Sequence, residues 1–162
     1  MSQNDDLAFF DAGLFIGAIL LGDPRGPEAY PIVEEARRGN FRACTSVGVL
    51  SEVYAALTWT GNSAPYTPAE AARSVRELVE PPSAIEVLSD SLDAALRHLR
   101  LAESHTLTAR RIHDARHAAT ALSRGVSLVY TYDPDDWRDF TADGIVIAGP
   151  PSTLARLLPP IS

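Results

Sequence analysis

Leu7-Ala8-Phe9-Phe10-Asp11 is the stretch on which the fold is read. Four apolar residues run without alternation into a carboxylate. A strand with one wet face alternates apolar and polar residues; an unbroken run suits a strand covered on both faces, as in a parallel sheet. Outward from it, Leu14 to Leu21 predicts a short helix that stops at Gly22-Asp23-Pro24. A second helix is expected from about Pro27 to Arg38, closed by Gly39-Asn40. Phe41 to Thr45 then reads as a strand and Val47 to about Thr60 as a helix. Thr67-Pro68-Ala69-Glu70 has the spacing of a capping box and opens another helix, which Pro81-Pro82 ends. Ala84 to Leu88, Val126 to Thr131 and Ile145 to Ile147 read as strands. Helices are expected over Leu92 to about Ala102 and about Ala109 to Ser123, with a last helical turn over Pro151 to Leu158. Strands separated by helices predict a three-layer α/β fold, with a central, mostly parallel sheet flanked by helices. Ligands of such sheets gather outside the carboxyl ends of the strands.

The bulk numbers agree with one domain spanning 1–162, because 162 residues at 46% hydrophobic content can bury a core but not two comfortable ones. The longest apolar run, Leu14 to Leu21, is far short of the roughly 20 residues that cross a bilayer. The N-terminus, Met1 to Asp6, is acidic where a secretory signal is basic, and the lone Cys44 can build no internal disulfide; both predict a cytoplasmic protein. Cys44 itself reads as a small buried hydrophobe. The net charge of −7 argues against a broad basic surface for nucleic acid. All 14 cations are Arg, the bidentate type suited to phosphate, and an acidic total also arises when carboxylates gather at one metal site.

The acids that matter are placed by pattern. Asp11 and Asp133 each follow an apolar strand and are expected at the carboxyl edge of the sheet, although Asp is also common in such loops. Glu52 sits in a helix among Gly48, Val49, Ala55 and Ala56, with no cation three or four residues away to pair with it. A carboxylate on so apolar a stretch needs a partner or a metal unless it faces solvent. Asp114 lies beside the stripe Ile112, Ala115, Ala119 and Leu122; the bland alternative is a surface pair with Arg110 or Arg111. His113 and His117 have zinc-helix spacing, but no second His/Cys pair completes a tetrahedral site. Nucleophile-elbow and Gly-rich phosphate motifs are absent, and the lack of any Lys excludes a phospho-acceptor receiver.

Together these segments resemble the PIN domain, and more narrowly the VapC-type toxins. Phe9-Phe10-Asp11-Ala12-Gly13-Leu14 is similar to the family's first-strand motif, and Thr45-Ser46-Val47-Gly48-Val49-Leu50-Ser51-Glu52 to the segment that carries its Glu. Asp114-Ala115-Arg116-His117-Ala118-Ala119 is similar to the helix with its third acid, and Thr131-Tyr132-Asp133-Pro134-Asp135-Asp136-Trp137 to its closing motif. The resemblance runs from about residue 7 to 140. It implies a PIN-like fold and a metal-dependent endoribonuclease acting on single-stranded RNA. Asp11, Glu52, Asp114 and Asp133 would be its metal-site acids, with Asp135 or Asp136 able to stand in for Asp133. Ala12 and Gly13 depart from the family, which often has a polar residue after the first Asp and commonly Asn at the Gly13 position.

Hard oxygen ligands suit Mg²⁺ or Mn²⁺ and substrate phosphate. On that reading Glu52 holds or deprotonates the attacking water, and Arg116 with Arg110 or Arg111 are candidates for phosphate contact. The resemblance also implies an antitoxin partner covering the acidic groove and a homodimer. The rival readings are a housekeeping RNA-processing nuclease of the same fold and a non-catalytic binding module whose acids are structural.

Overall fold

In the computed structural model of the protein, which describes residues 6–161, the opening apolar run becomes strand β1, Ala8–Phe10, with all three residues buried. The acidic stretch behind the cytoplasmic expectation lies outside the described residues except for Asp6. β1 is the middle of a five-stranded sheet that also holds β2 (Ala43–Ser46), β3 (Glu86–Leu88), β4 (Leu128–Tyr130) and β5 (Val146–Gly149). The order is β3-β2-β1-β4-β5 and every pairing is parallel, with Phe9 opposite both Cys44 and Val129. Burial follows this order. β2 is buried throughout, whereas the edge strands β3 and β5 begin with exposed residues. Cys44 is fully buried, and that burial pushes its thiol up to about 12, in keeping with an inert core residue.

The crossovers are helices α1 (Ala12–Ile19), α2 (Gly26–Arg37), α3 (Val47–Thr58), α4 (Pro68–Val79), α5 (Leu92–Ser104) and α6 (Asp114–Ser123). α1 packs on α2 and α3, α3 on α4, and α5 on α6, which covers the sheet with helices. The capping box forms as its spacing predicts: Thr67 Oγ1 accepts from Glu70 N and the Glu70 carboxylate accepts from Thr67 N. Among the described residues no helix is long and apolar enough to cross a membrane.

Three local readings are corrected. The helix expected from Ala109 starts instead as a 3₁₀ turn over Ala109–His113, and α6 begins only at Asp114. Two features accompany it: Thr106 and Ala109 take positive φ, and the Ile112 carbonyl lies 2.5 Å from His98 Nε2 on α5, a tertiary contact. The strand expected to end at Thr45 runs on to Ser46, whose side chain then caps α3. A short helix α7 (Pro134–Trp137) and a 3₁₀ turn (Arg138–Asp143) follow β4, where no element was expected; α8 (Pro151–Leu157) closes the fold. Pro at the first position of α7 needs no hydrogen bond there, which explains how so short a helix starts.

Candidate metal centre

The sheet order reverses at β1 and β4, and their carboxyl ends open side by side. That is where a doubly wound sheet leaves a crevice. Asp11 follows β1 and Asp133 follows β4, so chain positions 122 apart arrive at one place. A cleft of about 270 Å³ opens there, and its walls include Asp11, Glu52, Asp114, Asp133 and Asp136. Every acid expected at the site therefore lines one cavity, save Asp135, which is exposed and ion-paired with Arg138.

Asp11 is held most tightly. It is 8% exposed and caps α1, with Oδ1 accepting from Ala12 N at 2.9 Å. Oδ2 accepts from Thr131 Oγ1 at 2.7 Å and from the Trp137 indole N–H at 3.0 Å. Thr131 Oγ1 also accepts from Asp133 N, so one buried hydroxyl links two of the acids. Three donors around one buried carboxylate fix its rotamer.

Glu52 reaches the cleft from α3, but its side chain is 54% exposed, so burial among apolar neighbours is not what it answers to. Its partner comes from another helix: Glu52 Oε1 lies 2.7 Å from His117 Nε2. Asp114 opens α6 and is exposed. The pair with Arg110 or Arg111 does not form, since Arg111 binds Asp139. Burial, and next the charge of Asp11, raise the Asp133 carboxyl above the usual range, with Arg25 and Arg156 pulling the other way. Asp136 is raised too, by burial first and then by Asp133, Asp114 and Asp11. Carboxylates that push one another's protonation upward are in want of a cation.

The donor set fits a divalent ion. Several hard carboxylate oxygens converge, and ligand atoms of Asp11, Glu52 and His117 all lie within 4.8 Å of one another. His117 is the residue that the sequence reading missed, because it was weighed only with His113; the 117 side chain is buried against Glu52 and Ser46 while His113 is exposed at the cleft wall. The expected phosphate-contact arginines do not line the cleft: Arg116 binds Asp90 and Arg111 binds Asp139. Arg25 lines it instead. Its guanidinium is doubly bonded to Asp23, which lowers the Asp23 carboxyl, and lies over the Tyr132 ring at 5.4 Å. Gly13 permits this: a Cβ there would stand 3.1 Å from Arg25 Nη1. The residue that departs from the family pattern thus makes room for a cation.

The PIN domain family model matches residues 8–142, spanning every one of these acids. The chain belongs to the PIN domain family. Comparison with curated proteins finds no match in sequence. Among solved structures, the PIN fold here is similar to VapC20 of Mycobacterium tuberculosis, described as a sarcin-ricin loop cleaving toxin. That match has a TM-score of 0.65 at 20% identity and covers 88% of this chain and 99% of that one. It is also similar to VapBC2 from Rickettsia felis bound to a promoter DNA fragment (TM-score 0.58, 14% identity, 82% and 92% covered). A toxin-antitoxin complex from Klebsiella pneumoniae is a third (TM-score 0.56, 21% identity, 86% and 96% covered).

Proposed function

We propose that this PIN domain is a metal-dependent endoribonuclease that cleaves single-stranded RNA, and that it is the toxin of a toxin-antitoxin pair. The observation that carries the reading is the meeting of Asp11, Glu52, Asp114, Asp133 and Asp136 in one cleft, from four separate segments of the chain. A non-catalytic module has no use for that convergence, which adds to the effect of burial in raising the Asp133 and Asp136 carboxyls.

Asp11, Glu52, Asp114 and Asp133 would hold Mg²⁺ or Mn²⁺, with Asp136 beside Asp133 as a further oxygen donor. Such an ion, when bound, acidifies water and neutralises charge on the phosphate. Asp11, fixed by Thr131 and Trp137, supplies a rigid oxygen that needs no reorganisation on binding. Glu52 orients the attacking water and takes its proton as the new P–O bond forms; the bond to the leaving oxygen breaks, and that oxygen takes a proton from solvent. Arg25, at the cleft wall, offers positive charge to the phosphate.

One of the similar structures is a toxin-antitoxin complex and another is VapBC2 on promoter DNA, which supports an antitoxin partner here; an Arg or Lys inserted into the cleft would neutralise the acids as the metal does. The reading includes a homodimer acting in the cytoplasm. Its test is cleavage of a fluorogenic single-stranded RNA with Mn²⁺ or Mg²⁺. Activity that disappears with chelator and with Asp114→Asn is the expected result; a chelator-insensitive or absent activity overturns it.

A further inference from the structure

We propose that His117 is a positioning residue, which holds Glu52 in the cleft by donating the Nε2 proton while Ser46 fixes the ring tautomer. The inference rests on the nuclease reading of the same cleft and deepens it. Glu52 hangs from a solvent-facing side of α3, with over half its side chain exposed. A Glu so placed has many rotamers, and a water-activating carboxylate has use for very few. Among the described residues His117 is the group that ties it down, at 2.7 Å.

His117 is suited to that work by its own restraint. It is 8% exposed on α6, and the Phe9 ring lies 6.1 Å away, centroid to centroid. Its Nδ1 is 3.3 Å from Ser46 Oγ. That oxygen already accepts from Val49 N at the start of α3, so its hydroxyl proton is free to point at Nδ1. Nδ1 is then the acceptor, and Nε2 carries the proton facing Glu52 Oε1. Ser46 and Glu52 stand on the two sides of one imidazole, and both belong to the segment that ends β2 and forms α3. The chain thus links its α3 acid to the α6 helix through a ring rather than through a flexible ion pair. Direct ligation by Nε2 would give up the bond to Glu52, and the tautomer set by Ser46 points a proton, not a lone pair, into the cleft.

The test uses the full-length protein and metal alone, with Mn²⁺ and Mg²⁺ binding measured by calorimetry. His117→Met keeps the volume and loses the donor. Both ions then bind about tenfold or more weakly, the scale on which outer-shell partners act. His117→Gln returns an N–H near the Nε2 position and recovers most of the affinity. A His117→Met variant that binds like wild type overturns the proposal. So does a loss confined to Mn²⁺, the mark of a direct nitrogen ligand, because imidazole suits Mn²⁺ better than Mg²⁺. Nitrogen-resolved NMR of wild type gives a second readout independent of any variant: with saturating Mg²⁺, the Nε2 proton of His117 persists, and its disappearance contradicts the tautomer. Wild type that binds neither ion ends the nuclease reading itself, whereas normal binding with an indifferent His117 ends only this inference.

Discussion

Asp11→Asn separates two roles that one carboxylate plays at once. The Asn oxygen can still accept from Ala12 N, as Oδ1 does now at 2.9 Å. Its NH₂ group, however, takes the place of Oδ2, which accepts from Thr131 Oγ1 at 2.7 Å and Trp137 Nε1 at 3.0 Å. Thr131 can turn its hydroxyl and accept. Trp137 cannot: an indole N–H only donates, and the residue is 3% exposed. An orphaned buried donor costs about 1–3 kcal/mol. Against this stands the relief of repulsion on Asp133 and Asp136, both solvent-touched and screened, which returns less than about 1 kcal/mol. The net is a loss of about 1–2 kcal/mol, or a melting temperature lower by about 2–8 °C for a chain this size. Asp114→Asn removes charge from the same cleft with no hydrogen bond to break, so its melting temperature stays near that of wild type. Both variants lose RNA cleavage. The assay is thermal unfolding in chelator beside cleavage in Mn²⁺. An Asp11→Asn protein as stable as wild type, or more stable, refutes the account of how Asp11 is held.

Thr131→Val keeps shape and removes the hydroxyl between Asp11 and Asp133; it is expected to cost about 2 kcal/mol by chemical denaturation and to couple to Asp11→Asn in a double-mutant cycle. Strictly additive losses would contradict the link. Asp135→Asn leaves cleavage intact while Asp133→Asn abolishes it, since Asp135 faces solvent beside Arg138; equal loss in both would contradict the assignment. Metal affinity depends on pH with a definite sign. The folded-state values of Asp133 and Asp136 are raised, so protonation stabilises the metal-free fold fully below the unfolded value near ~3.9, and that contribution fades as pH climbs through the raised values. Metal needs both acids ionised; calorimetry is therefore expected to show weaker Mn²⁺ binding as pH falls through the same window, and a pH-independent affinity there would count against these ligands.

The α/β architecture and the meeting of the acids were legible because they follow from local signals. An apolar run ending in Asp marks a buried strand and its carboxyl edge, as at Asp11 and Asp133, and parallel topology does the rest. Glu52 was picked out by its apolar neighbours, but its side chain is half exposed, and it reaches the cleft wall in company with His117 rather than by burial. What escaped the sequence is non-local. Thr131 and Trp137 grip Asp11 across 120 and 126 residues, and no spacing rule reaches that far. His117 escaped because the i, i+4 pattern paired it with His113, whereas the fold turns it toward α3. The 3₁₀ start before α6 escaped because its residues are ordinary helix formers, and the capture of the Ile112 carbonyl by His98 is tertiary. The cation at the cleft escaped for a similar reason: Arg25 arrives through the space that Gly13 leaves, and Arg110, Arg111 and Arg116, closer in sequence to Asp114, do not line the cavity.

Diffraction at the manganese edge from Mn²⁺-soaked crystals tests the central claim most directly. The account predicts anomalous density inside the cleft, within bonding distance of Asp11 and at least two of Glu52, Asp114 and Asp133. Saturating Mn²⁺ that leaves this cleft without anomalous density, with all four side chains in place, would contradict it.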